Sequence, residues 1–334
     1  MSPSSEHLPA DASGDAGAGP LLSVVVPVYR NERTLEELVG RLRDVLAPLS
    51  PDFEIILVED CGGDGSWDII RRLAAADARI LGLRFSRNFG QHYGISAGLD
   101  FCRGRFAVVM DADLQDRPEE IPALYRKALE GFDVVVARRT GRKHGPLRRA
   151  ASFLFGQAFA YLAHMPYDPR VGNFRIVSRR VVLAFRRMRE TLRFFPALVE
   201  WLGFPAAAVD VVHDERPDGR SAYTWRKLLR LAGDAVFAYS DNPLRLSVKL
   251  GFALSLLSFA YGAVLIYLRL AKGVAVQGWT SLIVSVFFLG GIIIFLLGIL
   301  GIYLIRTFDE AKKRPLYVIR ETTRDEHDDA QALA

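Results

Sequence analysis

Two stretches of this chain hold no charged residue, Leu250–Leu268 and Ser281–Ile305, and they limit what the rest can be. As α-helices rising 1.5 Å per residue, each is long enough for the ~30 Å hydrocarbon core of a bilayer. Adjacent uncharged runs of this length are rare in the core of a soluble protein. The link Arg269–Thr280 is short, so the runs form a hairpin with both flanks on one side. Arg226, Lys227, Arg230, Arg245 and Lys249 precede it and Arg306, Lys312, Lys313 and Arg314 follow, whereas the link holds only Arg269 and Lys272. Excess Lys and Arg marks the cytoplasmic side. The large N-terminal part is therefore expected in the cytoplasm.

Ahead of the first run, Trp225, Leu228, Leu229, Ala232, Ala235, Val236 and Tyr239 recur at helical spacing opposite Arg226, Lys227, Arg230 and Asp234. This pattern predicts an amphipathic helix lying on the lipid bilayer, with a packed surface helix as the alternative. Residues 1–20 are rich in Ser, Gly, Ala and Asp, without the apolar stretch of a signal peptide, and are expected to be a disordered tail. The 334 residues carry a net charge of +5 and a pI of 9.2. That excess suits anionic lipids and phosphate-bearing substrates. No nucleic-acid motif appears, so nucleic acid is not an expected partner. Cys61 and Cys102 have no metal spacing and are expected to stay reduced.

Between the tail and the hairpin, strand-like and helix-like segments alternate. Strands are read at Leu21–Val28, Phe53–Val58, Arg79–Phe85, 105–110 and Asp133–Ala137. Helices are read from Thr34, at 66–76, at 91–101 and at 119–130. Alternation with short links predicts a mostly parallel α/β sheet covered on both faces. Ligands in such sheets bind beyond the carboxyl ends of the strands. Polar clusters fall there: Tyr29–Glu32, Glu59-Asp60, Arg87-Asn88, Asp111-Ala112-Asp113 and Arg138-Arg139. The Asp111/Asp113 pair is of the type that hard cations such as Mg²⁺ or Mn²⁺ take together with substrate phosphates. No Gly-x-Gly-x-x-Gly follows the first strand, which disfavours a dinucleotide fold. Gly94–Gly98 matches Gly-x-Ser-x-Gly, but Ser96 falls inside a helical stretch, where a nucleophile elbow does not form.

Six stretches together carry a resemblance: VVVPVYRNE (24–32), VEDCGGDGSWD (58–68), RNFGQHYGISAGL (87–99), DADLQDRPEEIP (111–122), RPDGRSAY (216–223) and the closing hairpin. With these the chain resembles the polyisoprenyl-phosphate glycosyltransferases of the inverting family-2 class over about residues 21–320, and its bacterial lipid-phosphate branch most. The resemblance implies a GT-A-like domain that transfers a sugar from a UDP- or GDP-sugar to polyisoprenyl (undecaprenyl) phosphate at the cytoplasmic face of a bacterial inner membrane. It implies that Pro27, Tyr29, Glu32, Asp60, Asn88 and Asp111 bind the donor, and that Asp113 and Gln115 hold Mg²⁺ or Mn²⁺. Arg138, Arg148 and Ser152 would meet the acceptor phosphate. Asp111, Asp113, Arg216 and Asp168 form the implied catalytic set.

The chain departs from the family pattern at Glu59–Asp64, where relatives read Asp-Asp-Gly-Ser-x-Asp, and at Ala222, where they carry lysine. Asp168 stands one residue off its usual spacing from Gly172–Arg175. The expected division is a tail (1–20), a transferase domain (21–222), an interfacial helix (223–242), two spans (243–306) and a C-terminal tail (307–334). Gly290, Gly291, Gly298 and Gly301 suit close helix approach, within the hairpin or in a homo-oligomer. Two other readings stay open: a polysaccharide synthase, whose Gln-x-x-Arg-Trp motif is missing, and a non-catalytic membrane scaffold of the same fold.

Overall fold

The structure, a computed structural model, describes residues 20–140, 170–212, 242–272 and 278–324. The expected N-terminal tail and the amphipathic stretch Trp225–Tyr239 lie outside them. The chain divides into two bodies. One holds the described residues before the hairpin together with those from Pro315 onward, and the other holds the two long helices.

In the first body, β1 (Leu22–Val28) is buried along its whole length. A strand apolar on both faces belongs in the middle of a sheet with helices on each side. It pairs in parallel with β2 (Phe53–Glu59) on one side and β4 (Phe106–Val109) on the other, and β2 pairs in parallel with β3 (Ile80–Phe85). The helices between them are α1 (Leu35–Leu46), α2 (Ser66–Ala76) and α3 (Gln91–Phe101). α1 buries Leu35, Leu38, Val39, Leu42 and Leu46, the stripe that a 3.6-residue period puts on one face. α3 lies against β1 so closely that a Cβ on Gly98 would come within 2.2 Å of Val25. Ser96 is fully buried in this helix and donates to the carbonyl of His92, so it serves packing and not a hydrolase elbow.

Strand order reverses about β1, and the crevice beyond the ends of β1 and β4 is where open α/β sheets bind ligands. A 3₁₀ turn (Pro118–Glu120) and α4 (Ile121–Leu129) lead to β5 (Val134–Thr140). β6 (Val171–Ser178) then runs antiparallel between β4 and β5. After α5 (Arg179–Arg187) and α6 (Phe195–Trp201), β7 (Ala206–Val212) pairs in parallel with β5. The full order is β7-β5-β6-β4-β1-β2-β3-β8. Its last member, β8 (Ile319–Thr322), is antiparallel to β3. Within the segment 307–334, expected to be a tail, residues Ile319–Thr322 thus complete the sheet, and Trp279–Ala311 carries the second helix past the expected end of the span.

In the second body, α7 (Asn242–Lys272) and α8 (Trp279–Ala311) are long and apolar enough to cross a membrane. Their spans, Leu246–Val264 and Val284–Ala311, have mean hydropathies of 1.5 and 2.7 and are almost unburied by protein. Apolar side chains turned outward over this length suit an apolar surrounding such as a bilayer.

Candidate active site

The loops after β1 and β2 are laced to each other. Arg30 Nε donates to the carbonyl of Gly62 at 3.1 Å, and Asp64 Oδ2 accepts the N–H of Glu32 at 3.2 Å. Glu32 Oε2 in turn accepts the N–H of Gly65, and Asp64 also takes the hydroxyl of Ser66 at the start of α2. Asp64 is thereby a structural tie. Cys61 is held at φ 53°, a left-handed conformation that costs a side-chain-bearing residue energy. Tyr29, 45% exposed, stands at the rim with Arg30 over its ring. Pro27 is buried in β1, where α3 crosses it at Gly94.

Asp60 is buried at the end of β2, and its two carboxylate oxygens accept the backbone N–H groups of Phe89 (2.7 Å) and Gly90 (2.8 Å). Asn88 donates to the Asp60 carbonyl. Burial pushes the Asp60 carboxyl up, and the two N–H bonds pull against that shift. These contacts set the loop that starts α3. Gln91, the first residue of α3, donates from Nε2 to Asp111 Oδ1 at 2.5 Å.

Asp111 leaves the end of β4 half-buried. Asn173 on β6 also reaches its Oδ1, at 3.4 Å, and its backbone N–H points to Asp116 Oδ2. The turn is tight: Leu114 has φ 61°, and Asp113 Oδ1 accepts the N–H of Gln115. Thr34, the residue just before α1, fixes the turn by donating to the carbonyl of Ala112 at 2.8 Å. Burial, then the carboxylates of Asp116 and Asp113, push the Asp111 carboxyl up to about 7.

Crowded carboxylates that retain a proton near neutrality are a place where a divalent cation relieves repulsion. Among the described residues no three His, Cys, Asp or Glu side chains form a ready-made cage. Mg²⁺ rarely requires one, because it takes one or two carboxylates and completes its shell with phosphate oxygens and water. Asp111, Asp113 and the amide oxygen of Gln115 fit such a cation.

The two arginines near the end of β5 divide by strand alternation, which sends neighbours to opposite faces. Arg138, expected at the acceptor phosphate, forks onto Asp210 of β7 with bonds of 2.5 and 3.0 Å. Arg139 instead reaches Asp116, with Nη2 3.3 Å from Oδ1, above Gly172. Arg139, read from sequence only as part of the Arg138-Arg139 cluster, joins the site, and so do Gln91, Asp116 and Asn173, which were not singled out for it. Asp116 lies in the motif run itself and Gln91 at a helix start, which were usable signals; Asn173 sits on a strand that periodicity did not reveal. Arg148, Ser152, Asp168 and Arg216 lie outside the described residues.

Residues 23–182 match the model of glycosyl transferase family 2. The chain is 36% identical over 301 residues to an uncharacterised glycosyltransferase, YkcC, of Bacillus subtilis, covering 90% of this chain and 93% of that one. It is 35% identical to the prophage bactoprenol glucosyl transferase homolog of Escherichia coli, over 90% of this chain and 98% of the relative. With the undecaprenyl-phosphate 4-deoxy-4-formamido-L-arabinose transferase of Aeromonas hydrophila it shares 33% identity, over 91% and 94%. Among solved structures, glucosyl-3-phosphoglycerate synthase of Mycobacterium tuberculosis superposes with a TM-score of 0.43 at 18% identity, over 66% of this chain and 77% of that one. With relatives at this identity aligned along nine-tenths of its length, the chain belongs to glycosyl transferase family 2 and carries that family's GT-A-like α/β domain.

Proposed function

We propose that this chain transfers a sugar from a nucleoside-diphosphate sugar, UDP- or GDP-linked, to the phosphate of a polyprenyl phosphate, with inversion at the anomeric carbon. The observation that carries the reading is the carboxylate cluster at the end of β4. Asp111, Asp113 and Gln115 stand at the switch-point crevice with Asp116 and Arg139 beside them. The names of the relatives from Escherichia coli and Aeromonas hydrophila support the acceptor.

The acceptor is a phosphate monoester whose second pKa, near 6, leaves it mostly dianionic at neutral pH. It is already a nucleophile, so the protein's tasks are placement and charge stabilisation. Asp111, Asp113 and Gln115 would hold Mg²⁺ or Mn²⁺, which when bound neutralises the departing nucleotide. Gln91 and Asn173 orient Asp111 by donating to its Oδ1. Arg139 takes the phosphate role expected of Arg138, because Arg139 stands beside the Asp111–Asp116 cluster while Arg138 is turned to Asp210 on β7. Tyr29, Glu32 and Asn88 border the nucleotide side, and Asp60 shapes it through the Phe89 and Gly90 amides.

The catalytic body would work at the cytoplasmic face of a bacterial inner membrane, held by two spans. β7 precedes the hairpin and β8 follows it in the same sheet, which supports both ends of the hairpin lying on one side. The test is to incubate full-length protein with undecaprenyl phosphate and a panel of labelled sugar nucleotides. Label should enter the lipid phase from one donor, vanish with EDTA, and return with Mg²⁺ or Mn²⁺. Full transfer in EDTA would contradict the metal, and no transfer from any donor would contradict the reading.

A further inference from the structure

The segment that follows the hairpin is bonded into the domain far more heavily than a tether requires. Ser86 donates its N–H to the carbonyl of Val318, and Gly82 exchanges bonds with Thr323, N–H to Oγ1 at 2.8 Å and carbonyl from N–H at 3.0 Å. Tyr317 stacks on Phe85, with ring centroids 5.3 Å apart, and its hydroxyl donates to buried Asp100 at 2.7 Å. Asp100 lies near the C-terminal end of α3, the helix whose first residue holds Asp111.

A second line of bonds runs from β8 to the loop after β2. Glu321 accepts Trp67 Nε1 on one oxygen (3.0 Å) and Arg84 Nη1 on the other (2.9 Å). Arg84 Nε then donates to Glu59 Oε2 at 3.1 Å. Glu59 is only 2% exposed, and its other oxygen accepts the N–H of Gly62 at 2.6 Å. The carbonyl of Gly62 is the acceptor for Arg30. Three residues deep in sequence from each other are thus wired in series, Glu321 to Arg84 to Glu59, and the series ends on the loop that carries Asp60.

We infer that Glu321 is a positioning residue for the donor loop, acting through Arg84 and Glu59. A buried carboxylate needs its cationic partner, because leaving it unpaired is costly. Glu321 holds Arg84 in place for Glu59, and Glu59 in turn clamps the Gly62 amide. Without Glu321, Arg84 loses one of its two carboxylates and is free to turn to solvent. Glu59 must then turn to water for the lost partner, and the 60–64 loop loses its clamp. The segment emerging from the second span would in this way set the geometry of the nucleotide side while leaving the acceptor side alone. This inference rests on the donor-site reading given above.

The experiment uses the full chain with Glu321→Ala and Glu321→Gln. Hydrogen exchange should speed up in the 59–65 segment of Glu321→Ala while β1 and β4 stay protected. The donor KM should rise about tenfold with the acceptor KM held within about twofold. Glu321→Gln keeps an acceptor for one of its two partners and should fall between. Unchanged exchange in the loop, or a uniform loss of kcat with both KM values unmoved, would overturn the inference. If the wild type transferred no sugar, the functional reading would fall, and exchange in the 59–65 segment would still decide whether Glu321 orders the loop.

Discussion

At the scale of single residues, Arg138 and Arg139 separate two accounts of the site. Both lie on β5, and only Arg139 turns toward the Asp111–Asp116 cluster. A charge-assisted hydrogen bond contributes ~1.5–3 kcal/mol, so Arg139→Ala should lower transfer efficiency by roughly one to two decades. Arg138→Ala removes an exposed pair with Asp210 and should stay within about twofold of wild type. Steady-state kcat/KM on both variants checks this; the reverse order would restore the role to Arg138. The sequence shows two adjacent arginines but not their phase, because the phase of β5 is set by β6 and β7 on either side.

His92 offers a second test at this scale. Burial, then the cations of Arg175 and Arg193, lowers its pKa to about 4, and its Nδ1 is buried with no hydrogen-bond partner among the described residues. The folded state therefore binds this proton more weakly than the unfolded chain, whose value is near 6.5. His92 does not oppose folding above about 6.5, and stability is lost as pH falls from there toward 4. Between pH 7 and pH 5 the wild type should lose roughly 2 kcal/mol more than His92→Gln, at 1.36 kcal/mol per unit. Unfolding of the solubilised proteins at the two pH values measures the difference. Equal losses would mean that His92 is not buried neutral.

At the scale of elements, the packing of α3 on β1 fixes where Gln91 meets Asp111. Gly98→Ala would drive a methyl against Val25 and should cost about 1–3 kcal/mol, seen as a lower unfolding midpoint. Gly40→Ala on α1 meets nothing within 4 Å and should instead stabilise by about 0.4–1 kcal/mol. If both variants destabilise equally, the close approach of α3 is not the reason for Gly98. Elements with a strong local period were legible in the sequence: α2 and α3 have the bounds read from it, and β1 to β4 differ from the expected strands by a residue or two. β6 and β8 were not legible. Each is antiparallel to its neighbours, each is separated by a long stretch of sequence from the strand before it, and neither shows the alternation that marks a strand from sequence. Their pairing is decided by distant partners, β4 and β5 for one and β3 for the other.

The same division holds for the site. The Asp111–Gln115 turn was legible because a carboxylate pair at a strand end is a local pattern. Asn173 was not, nor was the choice of Arg139 over Arg138 within their cluster, since both depend on β6 entering the sheet between strands far apart in sequence. Residues 315–323 show what this means for dissection of the protein. A chain cut before α7 would lose β8 along with the spans and leave β3 with an unpaired edge. Poor activity of such a fragment would therefore report on the catalytic body as much as on the membrane.

At the scale of the whole molecule, the two bodies divide the work. In the proposed reading the sheet would present carboxylates and arginine to a soluble sugar nucleotide, while α7 and α8, long and apolar enough to cross a membrane, would supply apolar surface for a lipid environment. A charged acceptor head on a long prenyl tail joins these two surroundings, and few other substrates would need both. The account's central claim is that the sugar alone crosses from nucleotide to lipid phosphate. The direct measurement uses a donor labelled with ¹⁴C in the sugar and ³²P in its β-phosphate, given to full-length protein in liposomes containing undecaprenyl phosphate. The account predicts ¹⁴C in the lipid and all ³²P in the released nucleoside diphosphate. Both labels in the lipid would mean transfer of a sugar phosphate, and would contradict it.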